Sequence, residues 1–531
     1  MQRWQWTLPI VAAVLSLACS GWALAEGRSR GPTHDAARPA AYRSIADDAS
    51  YVSTAMFQQE GEGSPFMDEP TVAPAPLPEG DPGEAIVTDE PPPDAAEEGQ
   101  PTDDYGGPDG RGEGGDHGAG LGATAGSWAG TSDYCTGTCG PRCNACGASA
   151  RGDRGFTFGG WVDQGVTANC YHPADRFNGP VTFNDRDGEY QLNQLWVYAE
   201  KIVDTGGCGW DVGGRVDFMY GTDHRFTMAR GLETNRDGSD KWNSERFYGT
   251  AMPQAYVDVA YNDLTVRMGH FFTIIGYEGV SAPNNFFYSH AYTMQYGEPF
   301  THTGLLATYA LTDRISISGG FDRGWDNWED NNQSLSFLGG AGWTSYDQAS
   351  SLTFAVSTGP YDDAGQLNRF MYSVVFSHQM TPRLLWVIQH DLGVDNNGGR
   401  TLGNGVVEDA QWYGINQYFI YRIDRAWDLG ARVEWFADDD GTRVGGIGAP
   451  HGWDLGPDVG PNTQGNQIGW AGDFFAVSVG LNWKPCDNVK VRPECRWDWY
   501  RGPRDAANRL PYDAGSRAYQ FTFATDLVVT F

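Results

Sequence analysis

Beyond its first 25 residues this chain nowhere approaches the roughly 18 consecutive apolar residues that a membrane helix needs. It is also short of positive charge. Lys and Arg total 36 against 68 Asp and Glu, for a net charge of -32. Nucleic acid demands clustered Lys and Arg, so DNA and RNA are excluded as partners. Cysteine is sparse, at nine in 531 residues. Catalytic and metal patterns are missing too. Ser289-His290 lacks an orienting acid at a readable spacing. The acidic runs Asp185/Asp187 and Asp438-Asp439-Asp440 do not match the spacing of an EF-hand, so acidic turns are favoured over calcium sites. Neither a catalytic residue, a metal nor a cofactor is expected, and the chain does not read as an enzyme.

What is present begins with MQRWQWTLPIVAAVLSLACSGWALAEG. Arg3, an apolar core from Leu8 to Ala18 and an Ala23-Leu24-Ala25 cleavage site predict a signal peptide over 1–25, cleaved on export. A lipoprotein reading would use Cys19, but Ser16 stands where a lipobox has Leu. An exported chain without a helical span can cross a membrane only as strands.

Residues 26–132 are rich in Pro, Gly, Asp and Glu, with no Lys or Arg between Ser44 and Gly110. From Glu26 to Ala150 there are 22 acids and 6 bases, about half of the net charge. Such a segment buries too little apolar surface to offset its ordering entropy, and it reads as a disordered acidic tether. Contact with a cell-wall or periplasmic partner is the more specific alternative. A cysteine-rich connector follows over 133–150, holding Cys135, Cys139, Cys143 and Cys146. In an oxidising compartment local disulfides are favoured there over a tetrahedral zinc. Cys170 with Cys208, and Cys486 with Cys495, are candidate loop staples, although spacing does not decide connectivity.

From residue 151 to 531 the texture is all-β. Runs alternate with period two and are separated by Gly, Asn, Asp and Pro clusters, about sixteen of them. YQFTFATDLVVTF at the end of the chain sets Tyr519, Phe521, Phe523, Leu527, Val529 and Phe531 on one face. WDLGARVEWF sets Trp427, Leu429, Val433 and Trp435 against Arg432 and Glu434. A soluble sandwich also alternates, but its buried face is mainly aliphatic. Here Trp and Tyr recur near strand ends, as at Trp196, Tyr198, Trp210, Tyr220, Tyr261, Trp427, Trp435, Trp483 and Trp499. The opposite face carries Arg beside Asp or Glu. Aromatic girdles and a charged inner face predict a transmembrane antiparallel β-barrel with water inside.

FTFGGWVDQGVTAN, QLNQLWVYAEK and RVEWFADDDGTRVGG resemble a known family, as does the stretch from Gly269-His270-Phe271 through Gly276-Tyr277-Glu278 to Tyr296-Gly297-Glu298-Pro299-Phe300. The family is the OmpL-like β-barrel porins, frequent in planctomycete-type bacteria. The resemblance covers about residues 151–531. It implies an outer-membrane channel passing small hydrophilic solutes or ions, with lipid as its surroundings and no catalytic residues. Many porins are trimers, so a homotrimer is a further expectation. The alternative is an outer-membrane structural or adhesive anchor whose barrel is not an open channel.

In a porin, charges on the inner wall choose the solute. The inward phase predicts Arg215, Asp217, Asp258, Arg267, Asp322, Arg432, Glu434, Arg492, Arg496 and Asp498 as pore-lining. Ion pairs that merely stiffen the wall are the competing reading. The region beyond the tether is acidic, which mildly favours cations if the acids face the pore. The long stretch from Gly276 to Thr303 is a candidate constriction loop, with Glu278, Phe286, Phe287, Tyr288, Tyr292, Tyr296 and Glu298. Its aromatics could stack on sugar rings. An outer loop packed on its own aromatics is the competing expectation.

Overall fold

Period-two alternation produces strands whose two faces differ in polarity. The structure, a computed structural model, describes residues 155–235, 239, 241–243, 247–330, 332–399, 406–445, 469–505 and 508–531. The signal segment, the acidic tether and Cys135, Cys139, Cys143 and Cys146 lie outside the described residues. The strands are β1 (Thr157–Asn169), β2 (Tyr190–Lys201), β3 (Trp210–Gly221), β4 (Gly249–Ala251), β5 (Ala255–Tyr261) and β6 (Leu264–Phe272). After these come β7 (Thr301–Thr312), β8 (Ile315–Asp322), β9 (Ser336–Thr344), β10 (Ser350–Pro360), β11 (Asn368–Thr381) and β12 (Leu384–Asp395). The last five are β13 (Ala410–Arg422), β14 (Trp427–Asp438), β15 (Gly472–Cys486), β16 (Val489–Arg501) and β17 (Tyr519–Thr530).

Each strand pairs antiparallel with its neighbour in sequence. β4 is a three-residue strand against the end of β3, and β3 goes on to pair with β5. β17 returns to β1, with Trp161 opposite Thr530 and Asn169 opposite Thr522. Gly160 and Phe531 exchange backbone hydrogen bonds at 3.0 and 2.9 Å. The result is a closed barrel of 16 staves, as the sequence predicts.

The barrel ends are unlike. At one end the strands turn in a few residues, as between Tyr261 and Leu264 or Cys486 and Val489. At the other end run the long connections 170–189, 222–254, 273–300, 323–335 and 439–471. Outward positions are apolar and open. Val216, Phe218, Leu429 and Val433 are exposed, while their neighbours Asp217, Arg432 and Glu434 are buried inside. Outward aromatics gather at two levels. Trp210 with Tyr261, and Trp427 with Trp483, pair at the short-turn end, with ring centroids 4.6 and 5.8 Å apart. Phe475 and Trp499 stack near the long-loop end at 5.3 Å.

Two expectations change. Trp196 and Tyr198 do not belong to a girdle. Trp196 is 0% exposed and stacks on Trp161 at 4.7 Å inside the barrel. Tyr198 lies under the Arg215 guanidinium. Both fall on the inward phase of β2, beside a register shift between Asp163 and Gln164. Neither cysteine staple fits. Cys495 stands opposite Val479, while Cys486 stands opposite Val489 at the turn. Six residues of strand span about 20 Å, far beyond a disulfide. Cys170 follows the long-loop end of β1, and Cys208 lies in the turn at the other end of β2.

If lipid faces the outward phase, Val433→Arg should destabilise the barrel by about 2–4 kcal/mol, as a cation near the bilayer midplane does. Unfolding from phospholipid vesicles measures this, and a cost near zero would contradict the assignment.

Candidate functional site

A charged side chain inside a closed wall needs a partner. The inward phases of β14 and β16 supply partners to each other. Arg432 Nε donates to Glu434 at 2.8 Å, Arg496 Nη1 lies 3.0 Å from the same carboxylate, and Arg496 Nε donates to Asp498 at 2.7 Å. Arg492 Nε donates to Asp526 on β17 at 2.9 Å. Every member of this ladder is almost wholly buried.

What covers the ladder is the connection between β6 and β7. It folds into the barrel, and the wall charges bind its backbone. Arg432 Nη1 donates to Glu278 at 2.6 Å and to the Ser289 carbonyl at 2.7 Å. Arg492 Nη1 donates to the carbonyls of Ala282, Asn285 and Phe287 at 2.8, 2.9 and 3.1 Å. Arg496 donates to the carbonyl of His290 at 2.9 Å. Carboxylates serve the amides. Glu494 accepts from Tyr288 and Ser289, Glu434 from Tyr292, and Glu278 from Ala291. A loop buried away from water must have its backbone groups satisfied, and here side chains do so in place of a ladder.

Shape agrees. A methyl group at Gly430 would sit 2.2 Å from the Phe286 ring, one at Gly414 2.2 Å from Thr293, and one at Gly165 2.7 Å from Tyr288. These inward glycines form recesses for the loop. The connection between β1 and β2 also turns inward. Tyr296 donates to the Pro180 carbonyl at 2.8 Å, and Phe183 stacks on His290 at 3.9 Å. Asp185 takes a bidentate pair from Arg225 at 2.9 and 3.1 Å.

All ten residues expected to line the pore therefore sit on the inner face, and all are paired. Arg215 joins Asp217 at 2.7 Å, Arg267 joins Asp258 at 3.0 Å, and Asp322 lies 3.2 Å from His302. Arg432, Glu434, Arg492, Arg496 and Asp498 are spent on the loop rather than presented to open water. All seven constriction-loop residues lie inside the barrel, against the expectation of an outer loop. Phe287, Tyr288, Tyr292 and Tyr296 are buried, so their ring faces do not stack on a passing sugar. The tyrosine hydroxyls are engaged instead. Tyr292 donates to Asp498 at 2.8 Å, and Tyr288 donates to Asn193 at 2.7 Å. Asp438 accepts three backbone amides of its own turn, which is the acidic-turn arrangement. Ser289 Oγ accepts from Arg432 at 2.9 Å and forms no dyad with His290. Sequence reasoning missed Glu494, Asn193, Gln194 and the inward course of 170–189. Alternation marks a residue as inward but does not say which loop will reach it.

Glu298 and His290 are among the loop groups shifted by this setting. Burial, with the carboxylate of Asp391 nearby, pushes Glu298 well above the usual carboxyl range. Burial, reinforced by the charges of Arg432, Arg492 and Arg496, lowers His290 to about 3. Asn285, the Gly279 carbonyl and the Phe183 ring complete its surroundings.

An unfolded imidazole takes up a proton near pH 6.5, whereas His290 in the fold resists until about 3. Its contribution is complete above about pH 6.5 and is lost as pH falls toward 3. His290→Gln should flatten the acid side of the thermal-unfolding profile in that window, and an unchanged slope would contradict it. Gly430→Leu should cost about 1–3 kcal/mol through overpacking against Phe286. Circular dichroism melts in detergent give both values.

Residues 155–531 match the family model described as "Putative beta-barrel porin-2, OmpL-like". No curated protein matches the chain. Among solved structures it is similar to OprB of Pseudomonas putida at 12% identity and TM-score 0.44, covering 71% of this chain and 95% of that one. It is also similar to the outer membrane channel DcaP of Acinetobacter baumannii at 11% and 0.43, covering 71% and 97%. An anion-selective porin from Comamonas acidovorans stands at 9% and 0.42, covering 71% and 99%. Likeness this distant adds nothing to what the chain's own geometry shows.

Proposed function

This chain belongs to the OmpL-like β-barrel porin-2 family of outer-membrane channels, and from that premise we propose that it is a passive diffusion channel narrowed by the segment 276–298. The observation that carries this reading is the latch. Arg432, Arg492 and Arg496 hold one inward connection against β14 and β16. The short-turn end faces the periplasm and the long connections face outward, as in outer-membrane barrels generally. Passage rather than catalysis is the role assigned to the wall.

The proposal includes a cleaved signal peptide over 1–25 and assembly as a homotrimer. One outward patch supports a protein-covered face. Trp386 donates to Gln417 at 3.3 Å on the lipid-facing phase of β12 and β13, with His390 alongside. Polar groups at membrane depth are costly in hydrocarbon. Crosslinking in native membranes tests the trimer. The acidic segment joins the barrel at its short-turn end, where β1 begins, and a cell-wall contact is its proposed role.

Purified protein in planar bilayers should give stable ohmic steps. A sealed bilayer with heat-modifiable, folded protein would favour the anchor reading. Arg492→Ala removes three ties to the loop and leaves Asp526 unpaired. It should raise single-channel conductance and open-channel noise, and unchanged traces would remove the loop from the constriction.

A further inference from the structure

The connection that enters the barrel is gathered at its neck by one wall residue. Gln389 on β12 reaches both of its ends. Its Oε1 accepts from the Tyr277 amide at 3.2 Å, and its Nε2 donates to Glu298 Oε1. The same Nε2 donates to Asp391 Oδ1 at 3.0 Å, and Ser373 on β11 donates to that oxygen at 2.6 Å. Gly276 completes the neck. Its backbone has φ +88°, and a methyl group there would sit 2.0 Å from Glu298 Oε2. Glu298 and Asp391 are 2% and 0% exposed, and a hydrogen bond joins their carboxyl groups. Apart from it, Asp391 Oδ2 has no partner among the described residues. Two carboxylates are acceptors only, so such a bond requires a proton on one of them.

Glu434, Asp498 and Asp526 each meet an arginine. Among the described residues no arginine or lysine pairs with Glu298 or Asp391. The charged groups around the neck are committed elsewhere. Glu278, on the connection itself, acts on Glu298 but is bonded to Arg432. Arg443 donates to the Tyr296 carbonyl, Asp326 accepts the Phe300 and Thr301 amides, and His302 lies against Asp322. On the wall, Arg369 and Asp395 pair with each other, and His390 points outward from β12.

Resting on the porin reading above for its effect on conduction, we propose that Glu298 and Asp391 share one proton, that this proton clasps the neck of the 276–298 connection to β12, and that its loss loosens the connection and widens the channel. What makes the proton necessary is the lack of a counter-charge. With it, the pair is a single buried anion served by Gln389 and Ser373. Without it, two adjacent carboxylates face each other away from water, and repulsion adds to the cost of burial. Releasing Glu298 to solvent relieves both. Burial and the neighbouring Asp391 hold docked Glu298 well above the ordinary carboxyl range, whereas a released Glu298 titrates within that range. The docked form therefore binds the proton more tightly. Docking is fully favoured at acid pH and is lost as pH rises through the raised value. Arg432, Arg492 and Arg496 stay charged throughout, so the neck yields while the rest of the connection is held.

The test uses the full mature protein between about pH 5 and about pH 9, above the range of an ordinary carboxyl and below that of Tyr and Lys. His290, lowered by burial to about 3, stays neutral in this window. Glu233, which burial pushes up to about 7 in the 222–254 connection, titrates within it and is the control. Amide hydrogen exchange of 276–298, followed by mass spectrometry, reads the clasp without reference to conduction. At the alkaline end the unaltered protein should exchange there about tenfold faster than Glu298→Gln, and at the acid end the two should match. In planar bilayers, conductance of the unaltered protein should rise by about twofold over the same range, and Glu298→Gln and Asp391→Asn should hold it near the acid value. A rise that survives in both variants, or that disappears in Glu233→Gln, would overturn the inference and leave a porin standing. Equal exchange in unaltered and Glu298→Gln protein at both ends of the range would overturn the clasp. Exchange that follows pH as expected in protein whose bilayers stay sealed would overturn the porin reading and leave the clasp in place.

Discussion

Hydrocarbon offers no hydrogen bonds, so every backbone group at membrane depth must find a partner within the protein. Closure of β17 onto β1 meets that demand, and the rest follows from it. A closed ring has one face toward lipid and one toward its own interior. Val433 and Phe218 must therefore point out, and Arg432 and Asp217 must point in. No strand can shift register by one residue without reversing that division.

Turning charges inward creates a second demand. Sixteen staves enclose a bore wide enough for water, yet the arginines of β14 and β16 are not left in it. They bind the backbone of 276–298, and that backbone in turn hides them. The arrangement is reciprocal. The loop has no strand partner for its carbonyls, and the arginines have more donors than Glu434, Asp498 and Asp526 can accept. Removing either side leaves buried polar groups unsatisfied, a cost of about 3–5 kcal/mol for a broken buried pair. Gly165, Gly414 and Gly430 supply room for the loop.

Much of this was legible beforehand. The phase of Val216, Val257, Leu429 and Phe521 read correctly, because alternation with a period of two is a local property. The inward charges were identified for the same reason. Trp196 was misread because an aromatic near a strand end suits a girdle and a packed interior equally well, and only its phase after the register shift decides. The cysteine staples failed because sequence separation ignores register. Cys486 and Cys495 are nine positions apart in the chain yet lie at different heights on the β15–β16 hairpin. The loop aromatics were found, but their use was not, since composition cannot show whether a ring faces solvent or a glycine recess.

The sequence by itself determined the strands, their two faces, the closed-barrel class and ten of the inward charges, all of which depend on near neighbours along one strand. Only the tertiary structure decided what those charges do. Arg432 and Glu278 are 154 positions apart, and Arg492 and Ala282 are 210. Their meeting depends on how a connection between β6 and β7 crosses the bore to β14 and β16. No local pattern encodes that crossing, because it is set by the shape of the closed ring and by which partners remain unsatisfied within it.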